Sequence, residues 1–452
     1  MNKKIGIWGL GVVGKSAIAY FHQKKYLIEA LDKRIPTPEE QQLLQQYGIP
    51  FYQQDDLPQF LERNDLILAA CGIDLRPYNS YAHKWLSELD IFDQECTAPI
   101  IAITGSVGKT TITHLLSELL KDQGKKVFTG GNIGVGLLDS IGQANASDYV
   151  VLECSSFQLE RSASFAPHVA ICSNIYPNHL DRHGTLENYV AAKWQIFAHQ
   201  KKSDLLILPL SLFESIPTAI KEERAICFFS VREPEQSTLK KLKNSDAFYF
   251  LHNSSLMERY QTKCTKIFDF MKIPEATYQE NILLLATVLH MLNLPLNTFA
   301  TTLDRQALPK HRLEKIASIN SVDFYDDSKA TIPASTLAAL EKITGKPTIL
   351  FLGGISKGVN RQDLVAQVAS KVRFIYCFGK EAKELKRFCD IYQIPALSCA
   401  TLDEAFGHLP LLLQNNDQIL FSPAGASYDL FTDYKERGNH FRNLVEQLKK
   451  NS

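Results

Sequence analysis

The sequence predicts an α/β fold made of three domains, each built on a largely parallel sheet. Two glycine-rich loops, at residues 9–14 and 104–111, each follow a short apolar strand and precede a helix, an order typical of parallel α/β domains. After residue 308, several strands end in polar residues, which indicates a third such domain. The chain of 452 residues is also too long for one ordinary core. We predict domains at 1–95, 96–307 and 308–452.

The first glycine loop indicates a nucleotide site near the start of the chain. A strand from Lys4 to Gly9 leads into G-L-G-V-V-G at 9–14 and a helix, and a second strand, Leu27–Leu31, ends at Asp32. Glycines at this spacing let a diphosphate approach the helix N-terminus, as in Rossmann-like domains. A third strand is expected at Asp65–Ala70. These residues alone leave open a nicotinamide-dependent oxidoreductase.

The second glycine loop has the composition of a phosphate-binding loop. The strand Ile100–Ile103 runs into T-G-S-V-G-K-T-T at 104–111, and a helix with one apolar stripe follows. Gly105 and Gly108 would let backbone amides face an anion, Lys109 would reach the terminal phosphates, and Thr110 would hold Mg²⁺. The spacing is shorter than the general pattern, so a chance glycine turn is the alternative. We expect a nucleoside triphosphate to bind here.

Three further residues are candidates near this loop. Glu153 ends the apolar strand Tyr149–Glu153, a usual place for a magnesium ligand, although a glutamate that caps a helix is the alternative. His179 follows a strand end among Asn, Asp and Arg residues, but a lone histidine is more often structural. Lys193 lies in a helical segment with apolar neighbours, and by itself reads as a snorkelling lysine.

The C-terminal third repeats the pattern of strands with polar ends, whereas residues 201–275 carry no recognisable chemistry. Four strands are expected, at Val322–Tyr325, Thr348–Leu352, Phe374–Phe378 and Gln418–Ser422. The polar segments are D-D-S-K-A-T at 326–331, G-G-I-S-K-G at 353–358 and S-P-A-G-A-S at 422–427. Open parallel sheets build their sites from such strand ends.

The amino-acid composition indicates which kinds of molecule the protein binds. Lys plus Arg and Asp plus Glu both number 49, which favours a small polar metabolite over nucleic acid or an anionic membrane. The nine scattered cysteines indicate free thiols in a reducing compartment, and no apolar run reaches membrane-spanning length. We expect a cytoplasmic monomer.

Taken together, the motifs resemble those of the Mur ligase family, and within it the D-glutamate-adding members. The resemblance spans nearly the whole chain and is weakest at 201–275. It is carried by T-G-S-V-G-K-T-T at 104–111, G-G-N-I-G at 130–134, L-E-C-S-S-F-Q-L-E at 152–160, N-H-L-D-R at 178–182, H-R-L-E at 311–314, D-S-K-A-T at 327–331, S-P-A-G-A-S-Y-D-L-F at 422–431 and E-R-G-N-H-F at 436–441.

The resemblance implies a three-domain ligase with a Rossmann-like N-terminal domain, a central P-loop ATPase-like domain and a Rossmann-like C-terminal domain. It implies that ATP, with Mg²⁺, activates the carboxylate of UDP-N-acetylmuramoyl-L-alanine as an acyl phosphate, which the amine of D-glutamate attacks. Positioning and charge neutralisation carry most of such a transfer. The first glycine loop would then hold uridine diphosphate, which sets the nicotinamide interpretation aside.

The resemblance also assigns a role to individual residues at each substrate site. The catalytic residues would be Lys109, Glu153, His179 and Lys193, and the metal ligands would be Thr110, Glu153, His179 and Lys193, the last as a carbamate. The ATP site would comprise Gly105, Ser106, Val107, Gly108, Lys109, Thr110, Thr111, Asn281, Arg312, Asp327 and Lys329. The UDP-substrate site would comprise Gly11, Val12, Asp32, Lys33, Gly72, Asn132, Ser155 and His179, and the D-glutamate site Thr331, Lys357, Ser427 and Tyr434.

The chain departs from the family pattern at five places. This chain has Val107 where the family usually has Asn, Lys33 where it has Thr, and Ala70-Cys71-Gly72 where it has Ser-Pro-Gly. It also has Thr277-Tyr278 where the family has His-Asn, and Tyr434 where the family has Phe. The alternatives are a ligase of the same superfamily that adds another amino acid, a folylpolyglutamate synthetase, and a nucleotide-binding protein without ligase turnover.

Overall fold

A computed structural model describes residues 3–270, 279–305 and 310–450. The chain forms an α/β protein with three sheets, which confirms the predicted fold class. It divides into two compact units. The first holds the chain up to Ile175 and again from Val190 to Arg305, and the second holds Tyr176–Tyr189 and the chain from Lys310 onwards. The predicted boundary at 307/308 and the Thr277-Tyr278 departure lie outside the described residues.

The first sheet is small and entirely parallel. Its strands are β1 (Lys4–Trp8), β2 (Leu27–Leu31), β3 (Phe51–Tyr52), β4 (Leu66–Ala69) and β5 (Trp85–Leu86), and its helices are α1 (Val12–Gln23), α2 (Pro38–Gln46), α3 (Leu57–Arg63) and α4 (Glu88–Glu95). The strand order is β3-β2-β1-β4-β5. The order reverses at β1, so the loop after β1 lies at the edge where open sheets bind ligands.

The second sheet has nine strands and carries the predicted phosphate loop, residues 104–111. The strands are β6 (Ile100–Thr104), β7 (Val127–Gly131), β8 (Tyr149–Glu153), β9 (Val169–Cys172), β10 (Leu205–Pro209), β11 (Cys227–Ser230), β12 (Ala247–His252), β13 (Ser255–Tyr260) and β14 (Lys263–Asp269). The helices are α5 (Lys109–Asp122), α6 (Ile141–Asn145), α7 (Ser156–Leu159), α8 (Leu180–His183), α9 (Leu186–Ala198), α10 (Thr218–Glu223), α11 (Gln236–Leu239), α12 (Gln279–Met291) and α13 (Phe299–Arg305).

The order of this sheet is β14-β13-β12-β11-β10-β9-β6-β8-β7. Strands β7 to β12 pair in parallel with β6 and one another, and β13 and β14 add an antiparallel extension. This extension falls in the segment 201–275, where the resemblance to the family is weakest. Helix α8 belongs to the second unit.

The third sheet belongs to the second unit. Its strands are β15 (Glu314–Ile319), β16 (Val322–Asp326), β17 (Thr348–Gly353), β18 (Phe374–Phe378), β19 (Ala396–Cys399) and β20 (Gln418–Phe421), and its helices are α14 (Pro333–Lys342), α15 (Gln362–Val368), α16 (Ala382–Ile391), α17 (Leu402–Gly407) and α18 (Tyr434–Lys450). The order is β15-β16-β20-β17-β18-β19, parallel except for the hairpin β15-β16.

The first two sheets share one apolar core. Phe92 of α4 stacks on Phe128 of β7 with ring centroids 6.2 Å apart, and both belong to a buried cluster that includes Ile5 and Leu152. Short segments of 3-10 helix connect the larger elements, at Gln54–Asp56, Arg76–Lys84, Leu138–Ser140, Leu210–Ser215 and Leu409–Leu411. None of the helices that the structure describes is both long and apolar enough to cross a bilayer.

Candidate active site

The loop between β6 and α5 has the geometry of an anion cradle. Helix α5 begins at Lys109, directly after Gly108, whose φ of 84° favours a residue without a side chain. The apolar face of α5, which includes Ile112, Leu116 and Leu120, is buried on the sheet. This packing holds the N-terminus of the helix at the end of the loop, where its partial positive charge favours an anion. Asn281 of α12 also lies here, since a Cβ on Gly108 would be 3.5 Å from Asn281 Oδ1.

The end of the neighbouring strand β9 holds this loop in shape. Asn174 Oδ1 accepts hydrogen bonds from the backbone amides of Ser106 at 3.2 Å and Val107 at 3.0 Å, and its Nδ2 donates to Val107 O at 3.1 Å. Ser173 Oγ donates to the same carbonyl at 3.2 Å. This role of Asn174 was not predicted from the sequence. Its position just past a strand end was the only signal, because the sequence does not show that β9 lies beside β6.

Two lysines converge on one carbonyl oxygen of the loop. Lys109 Nζ donates to Gly105 O at 2.9 Å, and Lys193 Nζ donates to the same oxygen at 2.8 Å. Lys193 is 1% exposed, so the interpretation of a snorkelling lysine is wrong. Burial first, and then the charge of Lys109, lower the pKa of Lys193 to about 7. Both effects favour the neutral amine form of Lys193.

Glu153 ends β8 next to the start of the loop. Its partner in the sheet register is Ile103 of β6, and the residue is 2% exposed. Asn132 donates to this residue twice, from its backbone amide to Glu153 O at 2.8 Å and from Nδ2 to Oε1 at 3.0 Å. Among residues 3–270, 279–305 and 310–450, Glu153 Oε2 finds no hydrogen-bond partner. The alternative of a helix-capping glutamate is wrong, because Ser155 caps α7.

The glycine loop at 9–14 opens on a cavity of about 540 Å³. The cavity is lined by Trp8, Gly9, Gly11, Asp32, Lys33, Arg34, Gln54, Ala70, Ile73, Asp74 and Tyr78. Asp32 also shapes the loop, since its Oδ2 accepts from the Leu10 amide at 2.7 Å. Of the other residues predicted for the UDP substrate, Val12 is 45% exposed at the start of α1 and Gly72 lies in the loop after β4. The Ser155 hydroxyl accepts from the Gln158 amide at 3.2 Å.

In the second unit, Lys357 lies near Thr331, which is also predicted for D-glutamate, and near Asn178, which is not. Its Nζ is 3.5 Å from Thr331 Oγ1 and 3.5 Å from Asn178 Oδ1. The Asp181 amide donates to Lys357 O at 3.2 Å, so the segment that carries His179 packs on the Lys357 loop. His179 precedes α8 with a φ of 55°.

The loop that carries Ser427 meets the loop of Lys357. Ile355 and Ala426 exchange two backbone hydrogen bonds of 2.8 Å, and Ser427 is 2% exposed. Lys329 Nζ lies 5.0 Å from the centroid of the Tyr434 ring. The structure thus groups the predicted D-glutamate residues around neighbouring loops of the third sheet.

A buried network of hydrogen bonds positions Asp327. Asp327 Oδ1 accepts from the Leu313 amide at 3.1 Å and its Oδ2 accepts from Ser422 Oγ at 2.7 Å. Burial raises the pKa of Asp327 to about 7. Asp326 bonds His311 at 2.7 Å and Arg442 at 2.6 Å, and neither contact was predicted from the sequence. Asp327 therefore acts at least in part by holding the backbone beside Arg312.

The predicted metal ligands do not form a ready-made cluster. Within the described part of the chain, no three His, Cys, Asp or Glu side chains are grouped closely enough to hold a metal ion. Glu153, Lys109, Lys193 and the loop lie together in the first unit, whereas His179 belongs to the second unit.

Two family models match separate parts of the chain. The family model described as the Mur ligase middle domain matches residues 103–258, and that described as the Mur ligase, glutamate ligase domain matches residues 311–425. The UDP-N-acetylmuramoylalanine--D-glutamate ligase of Thermoanaerobacter sp. (strain X514) is 31% identical over 461 residues, covering 99% of each chain.

Solved structures share the fold at lower identity. A pseudomurein peptide ligase type C from Methanothermus fervidus superposes with a TM-score of 0.60 at 16% identity, over 99% of this chain and 100% of that chain. The MurF ligase from Thermotoga maritima in complex with ADP gives 0.55 at 15% identity, over 99% of this chain and 96% of that chain. By its full-length identity to such a relative, the chain belongs to the UDP-N-acetylmuramoylalanine--D-glutamate ligase family of Mur ligases.

Proposed function

We propose that the protein is an ATP-dependent ligase that joins D-glutamate to UDP-N-acetylmuramoyl-L-alanine through an acyl phosphate, in cytoplasmic synthesis of peptidoglycan precursors. The observation that carries the proposal is the convergence of Lys109 and Lys193 on Gly105 O beside Glu153. We further propose a monomer with functional domains at 1–95, 96–307 and 308–452.

Residues 105–111 would hold the triphosphate of ATP. Backbone amides at the start of α5 favour negative charge, and Lys109 is the first residue of that helix. On phosphate binding, Lys109 would leave Gly105 O and contact the terminal phosphates. Asn281, Arg312, Asp327 and Lys329 would serve the rest of the nucleotide. Neutralising charge on the transferred phosphoryl group is the main task in such reactions.

The residues present fit a magnesium ion. Glu153 Oε2, a buried carboxylate oxygen with no hydrogen-bond partner in the described ranges, is the type of ligand that Mg²⁺ prefers, and the Thr110 hydroxyl is a second. His179 would add a nitrogen ligand. When bound, the ion would neutralise phosphate charge. Asn132 would fix the orientation of Glu153 through its 3.0 Å bond to Oε1.

Lys193 would act as a carbamate. Its neutral amine would attack the carbon of CO₂: the N–C bond forms, the electron pair of one C=O π bond moves to oxygen, and one N–H proton leaves to solvent. The low pKa of Lys193 supports this step because only the unprotonated amine is a nucleophile. The product places a negative charge beside Lys109 and Glu153, where it would assist a metal ion.

The remaining substrates would occupy the two other sites. The cavity beside Gly11, Asp32 and Lys33 would take the uridine diphosphate, with the muramoyl part toward Asn132 and Ser155. Lys357, with Thr331, Ser427 and Tyr434, would bind D-glutamate, since a cation and hydroxyl groups complement two carboxylates.

The proposal is tested by phosphate release from ATP in the presence of Mg²⁺ and UDP-N-acetylmuramoyl-L-alanine. D-glutamate, L-glutamate, L-alanine and L-lysine are compared, together with a reaction that lacks an amino acid. We expect release only with D-glutamate. Equal release with another amino acid would replace the proposed substrate, and ATP binding without any amino-acid-dependent release would exclude the ligase.

A further inference from the structure

The guanidinium of Arg161 binds four carbonyl oxygens of one loop. Arg161 follows α7, and the loop, residues 69–73, begins at the last residue of β4 in the first sheet. Nη1 donates to Ala69 O at 2.6 Å and Ala70 O at 3.0 Å, and Nη2 donates to Cys71 O at 3.5 Å and to Ile73 O. A rigid, planar group with several donors is suited to fixing successive carbonyl groups in one geometry.

The loop 69–73 forms one wall of the cavity proposed for uridine diphosphate. Ala70 and Ile73 line that cavity. The loop also lies against the glycine loop, because a Cβ on Gly9 would come within 2.8 Å of Ala70 Cβ. The segment contains Gly72 and no proline, so its covalent structure leaves the backbone free to vary. The hydrogen bonds from Arg161 restrain the loop, together with those from the Ala70 amide to Trp8 O at 2.8 Å and from the Ile73 amide to Ala70 O at 3.0 Å.

The same short segment connects the cavity to the second sheet. Arg161 lies one turn beyond the capping box of α7, in which Ser155 and Gln158 bond each other, and eight residues after Glu153 at the end of β8.

We propose that Arg161 is a positioning residue that shapes the uridine diphosphate pocket by holding the loop 69–73. The positioning role of Arg161 depends on the proposed function only because that function identifies uridine diphosphate as the ligand. Asp90 of α4 provides a control, because it also contacts the segment that follows α7. It accepts from Ser162 Oγ at 2.5 Å and from the amide of Ala163 at 2.8 Å. In the hydrogen bonds of the described residues, Asp90 does not contact the loop 69–73.

The experiment is a titration of the full chain with UDP, followed by tryptophan fluorescence, because Trp8 lines the cavity. Wild type, Arg161→Ala, Arg161→Lys and Asp90→Asn are compared after circular dichroism shows that each is folded. We expect Arg161→Ala to raise the Kd for UDP about tenfold and Arg161→Lys to raise it less, while Asp90→Asn stays within about twofold of wild type.

Turnover separates this proposal from the proposed function. In Arg161→Ala, the KM for the UDP substrate should rise while kcat and the KM for ATP stay within about twofold of wild type. Equal UDP affinity in wild type and Arg161→Ala, an equal loss in Asp90→Asn, or a fall in kcat alone would overturn the positioning role. UDP binding that depends on Arg161, in a protein that releases no phosphate, would support the positioning role and reject the ligase.

Discussion

Lys193 donates a hydrogen bond to Gly105 O at 2.8 Å from beneath the phosphate loop, in the protein core. The same oxygen accepts from Lys109, so two amines lie near each other at one acceptor. Burial and the charge of Lys109 lower the pKa of Lys193 to about 7. This relationship is the basis of the carbamate proposed for Lys193 and of the phosphate contact proposed for Lys109.

Lys193→Ala should lose most of its turnover, and small carboxylates should restore part of it. The cavity left by the side chain would admit formate or acetate, whose charge replaces the proposed carbamate. Phosphate release is measured with increasing acetate, at constant ionic strength. Lys109→Ala is the matched control, because a carboxylate cannot replace a cation. Equal rescue of both variants, or none of Lys193→Ala, would contradict the carbamate.

Lys109→Ala should lower kcat by about 10²- to 10³-fold, the usual cost of removing one preorganised charge from a transition state. UDP binding, followed by tryptophan fluorescence, should not change. Lys121→Ala is the control, since Lys121 lies on the same helix and pairs with Glu118 at 2.8 Å on the surface. Activity of Lys109→Ala equal to that of Lys121→Ala would remove Lys109 from the mechanism.

Gly131→Ala should impair both stability and turnover, whereas Gly134→Ala should affect stability alone. Gly131 and Gly134 have φ of 90° and 87°, which is the left-handed region. An alanine at either position should therefore lower the free energy of unfolding by about 1 kcal/mol. A Cβ on Gly131 would also come within 2.3 Å of Glu153 O, while one on Gly134 meets nothing within 4 Å. Displacing Glu153 should lower kcat at least about tenfold.

Thermal melting and phosphate release, measured on both glycine variants, check this expectation. Similar kcat values for the two would show that the position of Glu153 does not limit the reaction.

Glu88→Gln should change how stability depends on pH. Glu88 of α4 accepts from the Leu137 amide at 3.1 Å, and burial raises its pKa from 4.5 to about 7. The folded protein thus holds this proton more tightly than the unfolded chain. The contribution of protonated Glu88 to the free energy of unfolding is fully present below about pH 4.5. It is lost as the pH rises to about 7, and the loss is at most roughly 3 kcal/mol.

Glutamine keeps an acceptor oxygen but does not titrate. The melting temperature of wild type minus that of Glu88→Gln should therefore decrease as the pH rises from 4.5 to 7. Above pH 7 this difference should stay constant. Melting curves at several pH values measure the difference. Glu39→Gln, at an exposed position of α2, is the control for the same substitution at a glutamate that is not buried. A difference that does not change with pH would show that Glu88 keeps one protonation state.

Local pattern predicted the elements that carry the chemistry. The apolar strands before Gly9 and Gly105, and the stripe of α5, formed as expected because their periodicity and glycine positions are properties of short segments. The two-residue strands Phe51–Tyr52 and Trp85–Leu86 were missed, since segments so short have no period to detect. The antiparallel strands of 247–269 were missed because charged residues hide the alternation.

By itself, the sequence determined the fold class, the family and the residues proposed for phosphate binding, because these follow from motifs of a few adjacent residues. Only the tertiary structure decided that Asn174 shapes the phosphate loop, that Lys193 is buried against Gly105, and that Arg161 holds the loop after β4. The physical reason is that burial and pairing depend on which strands become neighbours. Strand order depends on the packing of the whole chain, which no short segment contains.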